Sequence, residues 1–321
     1  MLKFPLAFFV DLHYNINSIK SKKEKTEMES VCTQCPRQCG IDRAQAVGFC
    51  GAPWEFRVAR AALHPWEEPP ISGTRGSGTV FFSGCNLRCV FCQNREISRE
   101  IRGKKLDADA LAAVMLSLRD KGAHNINLVT PTPYALQLIP VLEKIKPTLG
   151  IPVVYNCGGY ESVDTLRALE GLVDVWLPDV KYHSPALSLR YSAAEDYYTV
   201  AETALDEMLR QAGNPQFDTD GMLSRGVIVR HLVLPGCRAD SIALLKALAK
   251  KFGTDRFLLS LMSQYTPQFA DRAYPSLCRR VTTFEYESVA TVARQLGFDG
   301  YFQERDSATA DYTPDFGQMQ I

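Results

Sequence analysis

Residues 79–94 read TVFFSGCNLRCVFCQN. An apolar run ends on Ser-Gly, which is the pattern of a buried strand entering a turn. Three cysteines follow at once, Cys85, Cys89 and Cys92, in an x3, x2 spacing. One loop of that length can wrap three thiolates around a single inorganic centre. Structural zinc wants four protein ligands, and a four-iron cubane is usually held by four thiolates. Three leave one metal corner open, and an open corner is how a metal centre meets a substrate. The competing reading is zinc with a fourth ligand drawn from a distance, such as His64 or Cys157.

Outward from this stretch the chain alternates. Strand-like runs lie at 79–84, 125–130, 151–156, 173–178, 226–234 and 256–262. Helix patterns occupy 107–119, 240–253 and 286–297. In the first, Asp107 is an N-cap, and Leu111, Val114, Met115 and Leu118 share a face. The second puts Ile242, Leu245, Leu248 and Phe252 on one face and stops at Gly253. Strand then helix, repeated about six times, predicts parallel strands with right-handed crossovers. Six units are too few for a closed eightfold barrel. The pattern therefore predicts an α/β fold, an open partial barrel with its chemistry at the carboxyl ends of the strands. The long interval from Lys181 to Arg225 leaves room for extra helices and a polar loop, NPQFDTDG.

Ahead of the barrel, Cys32, Cys35, Cys39 and Cys50 form C-x2-C-x3-C-x10-C. Four soft ligands this close suit either tetrahedral zinc or an iron–sulfur cluster. Zinc would staple a segment with no core of its own, whereas a cluster would relay electrons. Residues 57–78 show little periodicity and read as a linker. The expected organisation is a disordered or poorly packed leader over 1–27, a Cys-rich knot and linker over 28–78, the partial barrel over 79–302 and a tail over 303–321. Met28 stands as an alternative start.

The chain carries 36 Lys plus Arg against 36 Asp plus Glu, so its net charge is zero. That leaves no basic footprint for nucleic acid or an acidic membrane surface. No apolar run approaches the roughly 20 residues of a membrane helix. FPLAFFV at 4–10 lacks the flanks of a signal peptide, so the expected location is cytoplasmic. In a reducing compartment ten cysteines point away from disulfides, and their clustering points to metal. The isolated Cys157, Cys237 and Cys278 read as small buried hydrophobes.

The Cys85-Cys89-Cys92 motif, with Phe91 just before its last cysteine, resembles the signature of the radical S-adenosylmethionine (radical SAM) superfamily. CTQCPRQCG, NINLVTPT, VVYNCGGY, LPDVKY and VRHLVLPG extend the likeness. Together they resemble the pyruvate formate-lyase-activating-enzyme-like branch, in a subgroup with an N-terminal four-cysteine knot. The resemblance implies a TIM-type partial barrel with a [4Fe-4S] cluster on Cys85, Cys89 and Cys92. It further implies S-adenosylmethionine as cofactor, a flavodoxin- or ferredoxin-like electron donor and a glycyl-radical enzyme as partner. The family commonly ends its second strand in Gly-Gly-Glu, which receives the amino group of S-adenosylmethionine. Here Thr130-Pro131-Thr132-Pro133 stands there, so Thr130 and Thr132 are the candidate contacts. Asp179 and Lys181 match an Asp-x-Lys that touches the cofactor, and alternation puts both on one strand face. Their bland alternative is a strand-end ion pair. Asn156 and His231 are weaker candidates, since a histidine inside an apolar strand is more often a core residue. Gly158, Gly159 and Gly236 would let backbone approach the adenosyl group. Gln264 and Tyr265 end the sixth strand and stand near the substrate side. Other readings are a radical SAM enzyme acting on a small molecule or peptide and, from another class, a non-catalytic iron–sulfur carrier or a zinc-bound structural module.

Overall fold

The computed structural model describes residues 31–303 and Phe316. The expected leader, and all of the expected tail except residues 303 and 316, lie outside the described residues.

Ten strands form one sheet in the order β10-β9-β8-β6-β5-β4-β2-β1-β3, with β7 paired to β8. They are β1 (Phe56–His64), β2 (Ser77–Phe82), β3 (Lys104–Leu106), β4 (Ile126–Val129), β5 (Val153–Cys157), β6 (Val175–Pro178), β7 (Gln216–Phe217), β8 (Leu223–Leu232), β9 (Leu258–Met262) and β10 (Gly300–Phe302). The helices are α1 (Pro69–Ser72), α2 (Arg95–Ser98), α3 (Ala108–Asp120), α4 (Ala135–Leu149), α5 (Val163–Ala168), α6 (Pro185–Ser192), α7 (Tyr197–Ala212), α8 (Arg238–Phe252) and α9 (Thr283–Leu296).

From β2 to β10 every neighbouring pair on the main path is parallel. All six expected strands are present, and the three expected helices are α3, α8 and α9. Residues 57–78 differ from the expected linker. Most of the first half is β1, which pairs antiparallel with β2 and adds an edge to the sheet. Its sequence, FRVARAALH, mixes charged and apolar residues, so alternation alone did not mark it. β10 was missed because three residues are too few to carry a period. The polar interval 181–225 holds α6 and α7, and α7 buries Ala201, Ala204, Leu205, Met208 and Leu209.

Strand alternation sorts the core into two layers. Val153, Tyr155, Trp176, Val227, Val229, Leu259 and Leu261 join the cluster that includes the helix residues Leu111, Leu138, Leu205 and Leu245. Val154, Val175, Leu177, Ile228 and Leu258 belong to a second cluster with Ile71 and Leu223. Ile71 sits on α1 and is fully buried. The β1–β2 connection thus packs onto the face of the sheet opposite the main helix layer. Removing the Ile71 side chain would leave a cavity there. We expect Ile71→Ala to lower unfolding free energy by about 2–5 kcal/mol in a denaturant titration. Leu189→Ala, at a position 52% exposed, should change it by about 0.5 kcal/mol or less.

Candidate active site

The carboxyl ends of the strands open onto a cavity of about 220 Å³. Cys85, Cys89 and Cys92 line it, together with Thr130, Asn156, Gly158, Asp179 and Lys181. The loop that carries the cysteines is pinned by backbone bonds on several sides. Cys85 N–H donates to Cys50 O (3.2 Å), Val90 N–H to Tyr191 O (2.9 Å) and Asp271 N–H to Val90 O (2.8 Å). Phe91 packs on Tyr265 with ring centroids 6.1 Å apart.

Each sulfur of the motif has a donor or hydroxyl partner. Leu87 N–H donates to Cys85 Sγ (3.4 Å), and Ser192 Oγ donates to Cys89 Sγ (3.0 Å). Cys92 Sγ lies 3.5 Å from Ser98 Oγ. Burial raises the pKa of Cys85 and Cys89, while the Lys181 ammonium draws both down. Donors aimed at sulfur favour thiolate and tune an iron–sulfur centre. His64 and Cys157, the remote ligands a zinc reading would use, also line the cavity. Among the described residues no three Cys, His, Asp or Glu side chains converge to hold a single metal ion. A cubane takes one thiolate per iron, so its ligands surround a volume instead of meeting at a point.

Lys181 Nζ forms an ion pair with Asp179 Oδ2 inside the cavity. Burial works against the Lys181 charge, but the Asp179 carboxylate and Cys89 thiolate outweigh it and raise its pKa. The Tyr197 hydroxyl lies 2.8 Å from the carbonyls of Gly158 and Asp179 and accepts the Lys181 N–H at 3.1 Å. Gly159 permits this closeness. It has φ 77°, and a Cβ there would sit 2.1 Å from Asp179 O.

Thr130 has φ 57°, an unusual conformation for a β-branched residue, and its N–H donates to Asn156 O (2.9 Å). Strain of this kind clusters at ligand clamps. Thr132 does not line the cavity. Its hydroxyl donates to Glu161 Oε1 at 2.7 Å, beneath the turn. Glu161 is fully buried, and burial pushes its carboxyl up to about 8. His231 is likewise outside the cavity lining, because it shares strand parity with Val227 and Val229, and its Nδ1 lies 2.7 Å from Val180 O. Gly236 has no atom within 4 Å of a built Cβ, so no close approach there demands glycine's missing side chain. Gln264 and Tyr265 both line the cavity. Of the isolated cysteines, Cys157 and Cys237 are buried as expected, but Cys278 is exposed.

The charged floor of the cavity was not foreseen. Arg230, one residue from His231 and therefore on the opposite strand face, bonds Glu68 Oε1 and Oε2 (both 2.7 Å), pairs with Glu67 and reaches Asn156 Oδ1 (3.3 Å). Asn127 Nδ2 donates to Glu67 Oε1 at 2.8 Å. Burial opposes the charge on Glu68, yet the Arg230 guanidinium outweighs it and holds the carboxyl below its usual range. The available signal was the pair of acids in HPWEEPP, set between an aromatic and two prolines.

The four-cysteine knot lies against this site. Phe49 N–H donates to Cys39 Sγ at 3.4 Å. Burial pushes the Cys35 thiol up to about 12. Gln34 Nε2 donates to Pro133 O (2.7 Å), and Gln34 Oε1 accepts Leu136 N–H (3.1 Å). Arg37 Nε donates to Asn86 O at 2.9 Å. The knot therefore holds both the cysteine loop and the turn after β4.

Comparison with known proteins bears on the same region. Residues 79–215 match the radical SAM superfamily. The chain is 29% identical over 306 residues to an uncharacterized protein of Methanocaldococcus jannaschii, covering 91% of this chain and 83% of that one. Among solved structures it is similar to HydG, a maturase of the [FeFe]-hydrogenase, with TM-score 0.46 and 16% identity over 68% of this chain and 48% of that one. Methylornithine synthase gives 0.44 and 15% over 67% of this chain and 63% of that one. Streptococcus suis SuiB bound to S-adenosylmethionine gives 0.46 and 14%, over 68% and 47%. The chain thus spans less than two thirds of each of these solved structures. No helix among the described residues is long and apolar enough to cross a membrane. From its β2 strand into the loop beyond α7, this chain is similar to the radical SAM superfamily.

Proposed function

We propose that the cavity is the active site of a radical SAM enzyme, with Cys85, Cys89 and Cys92 as the ligands of one [4Fe-4S] cluster. The observation that carries this is their meeting with the Asp179–Lys181 pair and Asn156 in one cavity at the carboxyl ends of parallel strands. With S-adenosylmethionine bound, such a cluster supplies a 5′-deoxyadenosyl radical for hydrogen abstraction. The protein's part is binding, orientation and exclusion of water. Lys181 suits the methionyl carboxylate, because a desolvated ammonium makes a strong charge-assisted bond. The carbonyls and hydroxyl of the Thr130 turn, with Asp179, are acceptors for the methionyl ammonium in place of the missing glutamate. Leu87, Phe91 and Leu232 supply apolar wall. The electron comes from a flavodoxin- or ferredoxin-like protein, and the setting is cytoplasmic. The knot of Cys32, Cys35, Cys39 and Cys50 is a second metal site, zinc or iron–sulfur, and four thiols within nineteen residues support that reading.

The finer reading is an activase that abstracts a glycine hydrogen from a partner protein, and it is supported by the run of motifs. One observation favours a second reading, a small polar substrate. Glu67 and Arg230 place charge on the cavity lining, and a glycine presents no charged side chain to meet it. Incubation with a purified glycyl-radical enzyme, read by the glycyl radical's electron paramagnetic resonance, separates the two.

Reconstituted anaerobically and reduced with dithionite, the protein should release 5′-deoxyadenosine from S-adenosylmethionine. Cys89→Ala should abolish that release and lose the iron of one cluster, as elemental analysis would report. Full iron and an unchanged reduced-cluster spectrum in Cys89→Ala would remove the ligand assignment. Lys181→Ala should keep its iron but bind S-adenosylmethionine about thirtyfold more weakly in isothermal titration, the equivalent of about 2 kcal/mol for one charge-assisted bond. Unchanged affinity in both Lys181→Ala and Asp179→Ala would leave these two as a strand-end ion pair.

A further inference from the structure

Arg43 lies within the knot segment and is only 3% exposed. Its guanidinium donates from Nε to Ala52 O (3.3 Å), from Nη1 to Pro133 O and from Nη2 to Pro53 O. All three acceptors are neutral carbonyls. Among the described residues no carboxylate forms an ion pair with it. A buried cation without an anion is costly, and buried charges are paired or attached to metal sites. The anion candidates nearby are thiols. Arg43 grips the carbonyls of Ala52 and Pro53, two and three residues beyond Cys50. Four thiolates around a dication leave a dianion, whether the dication is zinc or an oxidised four-iron core. The charge argument therefore does not depend on which metal the knot takes.

We infer that Arg43 is the buried counter-ion of a tetrathiolate metal centre in the knot, and that through Pro133 it makes cofactor binding depend on that centre. This rests on the reading of the knot and cavity given above. The link is continuous in hydrogen bonds. Pro133, whose carbonyl Arg43 and Gln34 share, sits in the turn that begins at the strained Thr130. The next residue, Tyr134, is fully buried, donates its hydroxyl to Ser83 O (3.0 Å) and lies under Arg43 at 5.5 Å from ring centroid to guanidinium carbon. Ser83 is two residues before Cys85, and the Cys85 N–H returns to the knot at Cys50 O. An emptied knot leaves Arg43 without its anion, and the turn that lines the cofactor side loses its anchor.

The test uses the full chain in two backgrounds. In the first, Cys85, Cys89 and Cys92 are all changed to Ala, so that only knot metal remains to be measured by chelator competition. There Arg43→Gln should release the metal at a chelator concentration at least about tenfold lower, while Arg43→Lys, which keeps the charge but loses the guanidinium fork, should hold it better than Arg43→Gln. In the second, with all cysteines intact, Arg43→Gln should keep the iron of the radical cluster but bind S-adenosylmethionine severalfold more weakly by titration. Stripping knot metal from otherwise unaltered protein should weaken cofactor binding by a similar factor, an arm that does not require the variant to fold. Knot metal held equally by Arg43→Gln and the parent overturns the counter-ion, as does Arg43→Lys losing it as readily as Arg43→Gln. Unchanged cofactor affinity after stripping overturns the link. Absence of both zinc and iron from the triple-alanine protein with Arg43 intact overturns the reading of the knot itself, and with it this inference.

Discussion

Parallel pairing is the constraint from which the site follows. Strands that run the same way deliver every carboxyl end to one rim, and each connection must cross back through a helix or long loop. Cys85, Thr130, Gly158 and Asp179, from four different crossovers, therefore meet at one cavity although 94 residues separate the first from the last. Alternation then decides which side chain of a strand reaches the inside. It turns Arg230 to the cavity and His231 to the helices.

The second organising feature is the way the N-terminal knot is built into the rim. It contributes little apolar core of its own, and its buried polar side chains, Gln34 and Arg43, each donate to Pro133 O in the turn after β4. Backbone carbonyls in a loop must find partners when buried. Here the partners come from the segment that carries Cys32, Cys35, Cys39 and Cys50. The turn after β4, with Thr130 in the left-handed region, is held from outside by the knot and from below by Glu161 through Thr132. A strained turn persists only when its surroundings over-determine it. Arg230 plays a comparable part at the floor, where it draws two carboxylates into one network that would otherwise repel.

Much of this was legible in the chain as written. The x3, x2 spacing of Cys85, Cys89 and Cys92 is local, and so is the strand that precedes it. Periodic runs of four or more apolar residues identified the six central strands, because a strand buried on both faces must be apolar throughout. The Asp-x-Lys pair was marked by its resemblance to a family motif, and the period of two put Asp179 and Lys181 on one face, as their shared place in the cavity lining bears out. β1 was not legible, since an edge strand that is half exposed tolerates Arg57 and Arg60. Thr132 was assigned by sequence position, and its hydroxyl went instead to a carboxyl 29 residues away.

By itself, then, the sequence determined the six central strands, their parallel direction and the close spacing of the two cysteine sets, all of which depend on patterns within a few turns of chain. Only the tertiary structure decided what the cavity floor is made of and what the knot touches. Glu67 and Arg230 are 163 residues apart, and Arg43 and Pro133 are 90 apart. Such pairings depend on where crossovers bring distant backbone together, and no local period of hydrophobicity encodes that.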